Sequence, residues 1–397
     1  MKKVLLLTVG MFALGFDAYV IAGLIPDIGE TFNINDSQTG QAVSVFTLCY
    51  ALAAPIFATL LAGKPVRKVL VLALALFSIS NGASALAPNF TFLLISRAVA
   101  GVGAGLYSPL AAAAAAYLVS KEKQGRALGM TLGGMSMGTV VGVPVGLIIA
   151  GQLGWQGTLS LVTVIGFIAM LGIIIWFPNF EVSAPPSLRQ RFTMMTNKQV
   201  SITVGITFIT SVASLGLYTY ITSILQNLTE VNTVTPYLWA WGIGGVLGSF
   251  SIGTLIDRTG RPSLLMASIL AILAVSMFSL PSAVKFPIIA FVPFVLWGAM
   301  GWASQAPQQH VLLLSQPNHG AAAVALNSSA NYLGSAIGSA LGGIVMLAGL
   351  SPSHLPFAAG SLVLVALLGQ LLVLRTDKHK SSNELMKVKQ SNTNYKC

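Results

Sequence analysis

Long apolar stretches alternate with short polar intervals along the whole chain. Each stretch is long enough to cross a bilayer, which takes about 20 helical residues at ~1.5 Å rise each. The pattern predicts twelve spans: 4–25, 38–62, 69–88, 90–118, 126–150, 156–178, 200–226, 236–256, 263–282, 286–315, 320–349 and 352–374. The longest polar interval, Pro178 to Gln199, separates the sixth span from the seventh and carries Pro185, Pro186, Arg189, Arg191 and Lys198. It reads as a linker. The expected organisation is a six-helix bundle over 1–178, a linker over 179–199, a second six-helix bundle over 200–375 and a disordered basic tail over 376–397.

Composition excludes a water-soluble enzyme. Of 397 residues, 55% are hydrophobic and 8% charged, with mean hydropathy +0.81, where a soluble domain carries about 25% charged residues. The opening Met1-Lys2-Lys3 imitates a secretory signal, but the apolar run behind it is too long for a signal core and contains an acid. It reads as a retained first helix. Cys49 within a span and Cys397 at the last position offer no disulfide framework and no redox or metal chemistry.

The net charge of +11 is a topology signal. If twelve spans alternate, Lys2, Lys3, Lys64, Arg67, Lys68, Lys121, Lys123, Arg126, Arg258, Arg261, the linker bases and the tail bases all fall on one side. The other side keeps Lys285 with Asp27, Glu30, Asp36 and Glu230. By the positive-inside rule both termini are expected in the cytoplasm of a multi-pass cell-membrane protein. The bases are scattered over short loops without aromatic interleaving, so nucleic acid is not an expected partner.

Features recur about 190–198 positions apart. Gly138, Gly142, Pro144 and Gly146 in the fifth span are echoed by Gly334, Gly338 and Gly342 in the eleventh. Gly101, Gly103, Gly105, Tyr107 and Pro109 in the fourth are echoed by Gly298, Gly301, Trp302 and Pro307 in the tenth. Small residues every fourth position let two helix backbones approach closely. Their repetition suggests a pseudosymmetric bundle with a central site.

At these residues the chain resembles the major facilitator superfamily, in its twelve-helix drug:proton antiporter branch, with a look closest to bacterial sugar-efflux and purine base/nucleoside-efflux members. The resemblance implies an all-α membrane fold of twelve helices in two pseudosymmetric bundles. Arg97 to Gly105 is similar to the fourth-helix motif associated with proton coupling. Gly138, Gly142, Pro144 and Gly146 are similar to the fifth-helix antiporter motif, which implies export. Gly253, Asp257, Arg258, Gly260 and Arg261 match the loop motif that governs the cytoplasmic gate. The first-half copy, Gly63-Lys64-Pro65-Val66-Arg67-Lys68, lacks the acid, so the usual carboxylate interaction does not carry over there.

Asp17 and Arg97 are the candidate chemistry. A carboxylate in hydrocarbon costs roughly 2.5–3.5 kcal/mol even on an insertion scale. Counted from Pro26 and Asn89, Asp17 lies about 14 Å and Arg97 about 12 Å from the same membrane face. Similar depth makes them candidate partners in proton coupling: desolvation favours a protonated acid, and a nearby cation favours the anion. Tyr50, Tyr107, Tyr218, Tyr220, Trp241, Trp302, Gln305, Asn327 and Asn331 are the candidate substrate-cavity residues, aromatics to pack a ring and amides to bond it. Apart from Asp17 and Arg97, no charge is expected at the cavity, which points to a neutral or weakly polar solute. His310 reads as a wetted interfacial residue rather than a relay, and His319, His354 and His379 have no metal-ligand spacing. No phosphate-binding lysine follows the glycines, and no nucleophile–base or metal set emerges.

The expected function is proton-coupled efflux of a small organic solute, such as a purine base or nucleoside, a sugar or a drug, by alternating access. Protons, the solute and the lipid bilayer are the partners, with no cofactor and a monomeric state. A uniporter and a non-transporting receptor are the alternatives.

Overall fold

A computed structural model describes residues 2–60, 64–120, 123–181, 187–228, 234–316 and 319–394. Gly63, Lys121, Pro185, Pro186, Glu230, Lys396 and Cys397 lie outside the described residues. The first half comprises α1 (Lys2–Phe32), α2 (Asp36–Thr39), α3 (Gln41–Leu60), α4 (Val66–Ala85), α5 (Phe90–Tyr117), α6 (Gln124–Met137), a π-helical turn (Gly138–Gly142) and α7 (Val143–Trp176). The short α8 (Leu188–Met194) occupies the linker. The second half comprises α9 (Lys198–Thr219), α10 (Ile221–Leu228), α11 (Thr235–Thr259), α12 (Pro262–Ala283), α13 (Phe291–Ala303), α14 (Gln305–Ser315), α15 (Gly320–Leu347) and α16 (Leu355–Asn394).

Among the described residues, nine helical stretches are long and apolar enough to cross a membrane. One of them, Arg126–Trp176, holds two spans, because Gly154 at φ +71° turns the chain where no side chain would tolerate it. Helix α3 and the pair α13–α14 complete the twelve. Large apolar side chains that remain exposed on the spanning helices, such as Ile79, Phe250 and Val275, suit a lipid-facing surface.

Four features differ from the sequence pattern. Helix α1 continues through Pro26 to Phe32, past the expected end of the span. The tenth span breaks at Ser304, because Pro307 has no N–H to offer the Ala303 carbonyl one turn back. The seventh span breaks at Tyr220, and α10 carries it on to Leu228. The last helix continues as backbone through 376–394, the tail that composition reads as disordered.

The glycine repeats seat equivalent helix pairs in the two halves. A Cβ on Gly138 would collide with the Phe12 carbonyl, and one on Gly142 or Gly146 with the Phe16 ring, so the fifth span lies directly on α1. In the second half, Gly334 and Gly338 meet the carbonyls of Phe208 and Val212, which lays α15 on α9 in the same way. Gly101 and Gly105 press on the carbonyls of Phe46 and Tyr50, and Gly298 presses on that of Trp241. With no hydrophobic force between helices in lipid, such backbone contact supplies much of the packing energy. The two bundles meet where α3 faces α15, α1 faces α9 and α10, and α11 faces the π-turn and α7.

Two glycines of α11 test this. Gly248 lies against the Ala299 carbonyl, whereas Gly253 has nothing within 4 Å. Gly248→Ala is expected to lower stability by about 1–3 kcal/mol through overpacking. Gly253→Ala is expected to leave it unchanged or raise it by about 0.5–1 kcal/mol. Thermal unfolding of the purified protein in detergent reads both.

Candidate functional site

The first component is a buried ion pair. Asp17 on α1 and Arg97 on α5 approach to 2.6 Å between Oδ1 and Nη1, with 0% and 1% of their side chains exposed. Asn81 on α4 completes the set: its amide nitrogen donates to Asp17 Oδ2 at 3.2 Å and to the Phe77 carbonyl at 3.0 Å, and its oxygen accepts from Arg97 Nη1 at 3.1 Å. The guanidinium carbon stands 4.3 Å from the centre of the Phe46 ring, a cation–π contact. Three helices thus converge on one charge pair that water does not reach.

The second component is a central cavity of about 430 Å³ between the bundles. Tyr19, Tyr50, Ser108, Pro109, Leu132 and Met135 line it from the first half. Thr207, Ser211, Trp241, Trp302, Gln305, Asn331 and Tyr332 line it from the second. Asn331 organises the polar wall: its oxygen accepts from Ser211 Oγ at 2.5 Å and from Gln305 Nε2 at 2.9 Å. Tyr50 and Tyr332 cross the bundle interface with ring centroids 4.0 Å apart. Tyr19, Trp241 and Trp302 of its wall pack with Tyr218 into one aromatic group.

The cavity reaches the linker side, where Arg191 of α8 lines it and donates to Ser329 Oγ at 2.8 Å and to the Ala325 carbonyl at 3.3 Å. Burial pushes the Arg191 pKa down from the usual arginine value, and arginine remains a cation regardless. On the opposite face the bundles are joined. Ser37 Oγ donates to the Gly343 carbonyl at 2.5 Å, Ser44 Oγ to Ser339 Oγ at 2.9 Å, and Thr222 Oγ1 to the Ala22 carbonyl at 3.0 Å.

Of the residues singled out from sequence, Tyr50, Trp241, Trp302, Gln305 and Asn331 line the cavity, and Tyr218 lines a small adjoining chamber. Three lie elsewhere. Tyr107 is buried between helices and donates to the Leu7 carbonyl at 3.1 Å. Tyr220 belongs to the sealed face, donating to the Ser339 carbonyl at 2.8 Å. Asn327 is fully buried beside the cavity wall, one helical turn from Asn331, with neither amide atom bonded.

The expectation that Asp17 and Arg97 are the charges at the cavity is corrected: neither lines it, and Arg191 does. A linker residue gives no sign in sequence of folding back under a bundle. Sequence reasoning also missed Tyr19, Asn81, Ser211 and Tyr332. The polar character of Asn81 at mid-span was a usable signal. Gly138, Gly142, Pro144 and Gly146 shape the π-turn and its contact with α1, next to Asp17. In the second loop, Gly260 at φ +60° caps α11, while Asp257, Arg258 and Arg261 are exposed. In the first, Arg67 reaches the Ile174 carbonyl of α7 within its own bundle. His310, His319 and His354 are exposed.

A sequence profile of the Major Facilitator Superfamily matches residues 7–338. The chain is 28% identical over 367 residues to the inner membrane transport protein YdhP of Escherichia coli K12, covering 92% of this chain and 94% of that one. It is 26% identical over 304 residues to a chloramphenicol resistance protein of Streptomyces lividans, covering 75% and 77%. The structure of the E. coli xylose transporter XylE superposes with TM-score 0.72 at 18% identity, over 92% of this chain and 95% of that one. The chain belongs to the major facilitator superfamily and has its all-α fold of two pseudosymmetric six-helix bundles. It is a multi-pass membrane transporter, not an enzyme.

The ion pair makes a quantitative prediction. Asp17→Leu or Arg97→Leu alone leaves one uncompensated buried charge and is expected to cost about 3–5 kcal/mol. The double variant removes both charges and is expected to recover most of that loss. Thermal unfolding of the three variants in one detergent measures it.

Proposed function

We propose that this transporter is a proton-coupled exporter of a small neutral or weakly polar organic solute, acting as a monomer in the cytoplasmic membrane with both termini inside. One observation carries the reading. Asp17, in a buried ion pair, and Tyr19, in the cavity wall, sit two residues apart on α1. Any movement of α1 that rearranges one site therefore displaces the other. The name of the Streptomyces relative supports export, and the fifth-span glycine pattern supports it further.

With the basic loops inside, the cavity faces inward and the outer face is sealed. Asp17 as a carboxylate paired with Arg97 suits a state that has already released its proton to the cytoplasm. Protonation from outside, in the alternate state, removes the charge that Arg97 neutralises. It thereby changes which packing of α1, α4 and α5 is preferred, and protonation becomes linked to conformation. Solute leaves through the same rocking motion in the opposite direction. The aromatic and amide lining of the cavity suits purine bases or nucleosides, sugars, or drugs such as chloramphenicol as the first solutes to test.

Asp17→Asn keeps the hydrogen-bonding shape and removes the titration. In energised inside-out vesicles with a panel of these solutes, it is expected to abolish pH-gradient-driven transport while membrane insertion is unchanged. Unaltered gradient-driven transport by this variant would refute proton coupling through Asp17. A second test addresses alternating access. With Cys49 and Cys397 replaced by Ser, the pair Ser44→Cys and Ser339→Cys, whose oxygens stand 2.9 Å apart, is expected to oxidise to a disulfide. That bond should stop transport, and a reductant should restore it.

A further inference from the structure

The ion pair and the cavity are neighbours on α1, and Phe46 touches the pair and borders a chamber beside the cavity. None of Asp17, Asn81 and Arg97 lines the cavity or the smaller chamber beside it. That chamber, of about 30 Å³, is bordered by Phe46 and by the hydroxyl-bearing Tyr19, Thr47, Tyr50, Thr219 and Ser335. It exceeds the roughly 10–15 Å³ that one water requires, and Tyr19, Tyr50 and Tyr332 border both it and the cavity. Phe46 is 1% exposed; the Arg97 guanidinium stands 4.3 Å from its ring centre, and the same residue borders the chamber. A proton moves between oxygens and nitrogens at hydrogen-bond distance, and a phenyl ring offers none.

We propose that Phe46 is the gate of the proton path between Asp17 and the cavity, and that the second bundle holds it shut. This rests on the proton-coupled reading given above. The backbone at Phe46 is pinned, because its carbonyl lies against Gly101 too closely for a Cβ there. Rotation of the ring is therefore the available motion. A line of ring contacts governs it: Tyr332 of the second bundle lies 4.0 Å from Tyr50, Tyr50 lies 6.3 Å from Phe46, and Phe46 meets Arg97. When the bundles rock, Tyr332 withdraws from Tyr50 and Phe46 gains room to turn. With the cavity then facing outward, a hydronium there gives its proton through a chamber water to the Asp17 carboxylate. The hydronium O–H bond breaks as the Asp17 O–H bond forms, and on the return the proton leaves by the same water before Phe46 closes. In the structure as it stands the ring is closed, which keeps the pair from equilibrating with the cavity before the bundles move.

The test uses the full-length protein in liposomes with an internal pH dye, an imposed pH gradient and no solute. Phe46→Ala is expected to dissipate the gradient severalfold faster than wild type. Phe46→Leu, apolar and nearly as large, is expected to stay tight, which separates a plug from a cation–π contact. Tyr332→Ala, which leaves the ion pair and Phe46 in place, is expected to leak as well and serves if Phe46→Ala does not fold. Adding Asp17→Asn to either leaking variant is expected to stop the leak. Tight Phe46→Ala and Tyr332→Ala proteins with wild-type melting curves would overturn the gate, as would a leak that persists with Asp17→Asn. The two readings fail separately. If Asp17→Asn alone keeps gradient-driven transport, proton coupling at Asp17 falls, and the gate with it. If Asp17→Asn loses that transport while the Phe46 and Tyr332 variants stay tight, the gate alone falls.

Discussion

A carboxylate placed in hydrocarbon must be neutralised, by a proton or by a cation, and the first bundle is assembled around that requirement. Asp17 comes from α1, Arg97 from α5 and Asn81 from α4, so three helices have to hold a common position for the charges to be satisfied. Their positions are set by backbone contact. Glycines of the fifth span bring it onto α1 at Phe12 and Phe16, and Gly101 brings α5 onto α3 at Phe46. The energetic penalty of an intramembrane acid and the tight helix packing are thus one design: the second makes the first tolerable.

The second bundle repeats the packing without the charge. Gly334 and Gly338 set α15 on α9 as their counterparts set the fifth span on α1, and the polar cluster there is uncharged, built from Ser211, Gln305 and Asn331. The halves therefore share a scaffold and differ in what it carries: one holds an ion pair sealed from water, the other an amide and hydroxyl wall facing a cavity. The rings of Tyr50 and Tyr332 are the short bridge between those two environments.

Much of this was legible in the chain. The twelve spans and the glycine repeats follow from hydropathy and helical rise, and counting residues from Pro26 and Asn89 made Asp17 and Arg97 candidate partners. Breaks were less legible. The interruption of the tenth span by Pro307 required knowing that no neighbouring group would bridge it, and the corner at Gly154 is one residue in a long apolar run. Among the proposed cavity residues, Trp302 and Asn331 face inward, whereas Tyr107 and Tyr220 serve helix contacts and the sealed face. All four looked equivalent as polar or aromatic residues within apolar spans.

The physical reason is the solvent. A helix in water advertises its buried side by keeping apolar residues on one face. A helix in lipid is apolar all round, and its sequence does not mark which side meets a neighbour. Distance along the axis is a matter of counting residues, so the sequence by itself determined the number of spans and the family. Direction around the axis is decided by which helices pack together. Only the tertiary structure therefore decided that Asp17 turns toward Arg97 while Tyr19 turns toward the cavity, that Arg191 folds in from the linker, and that Phe46 packs on Arg97 and borders the small chamber.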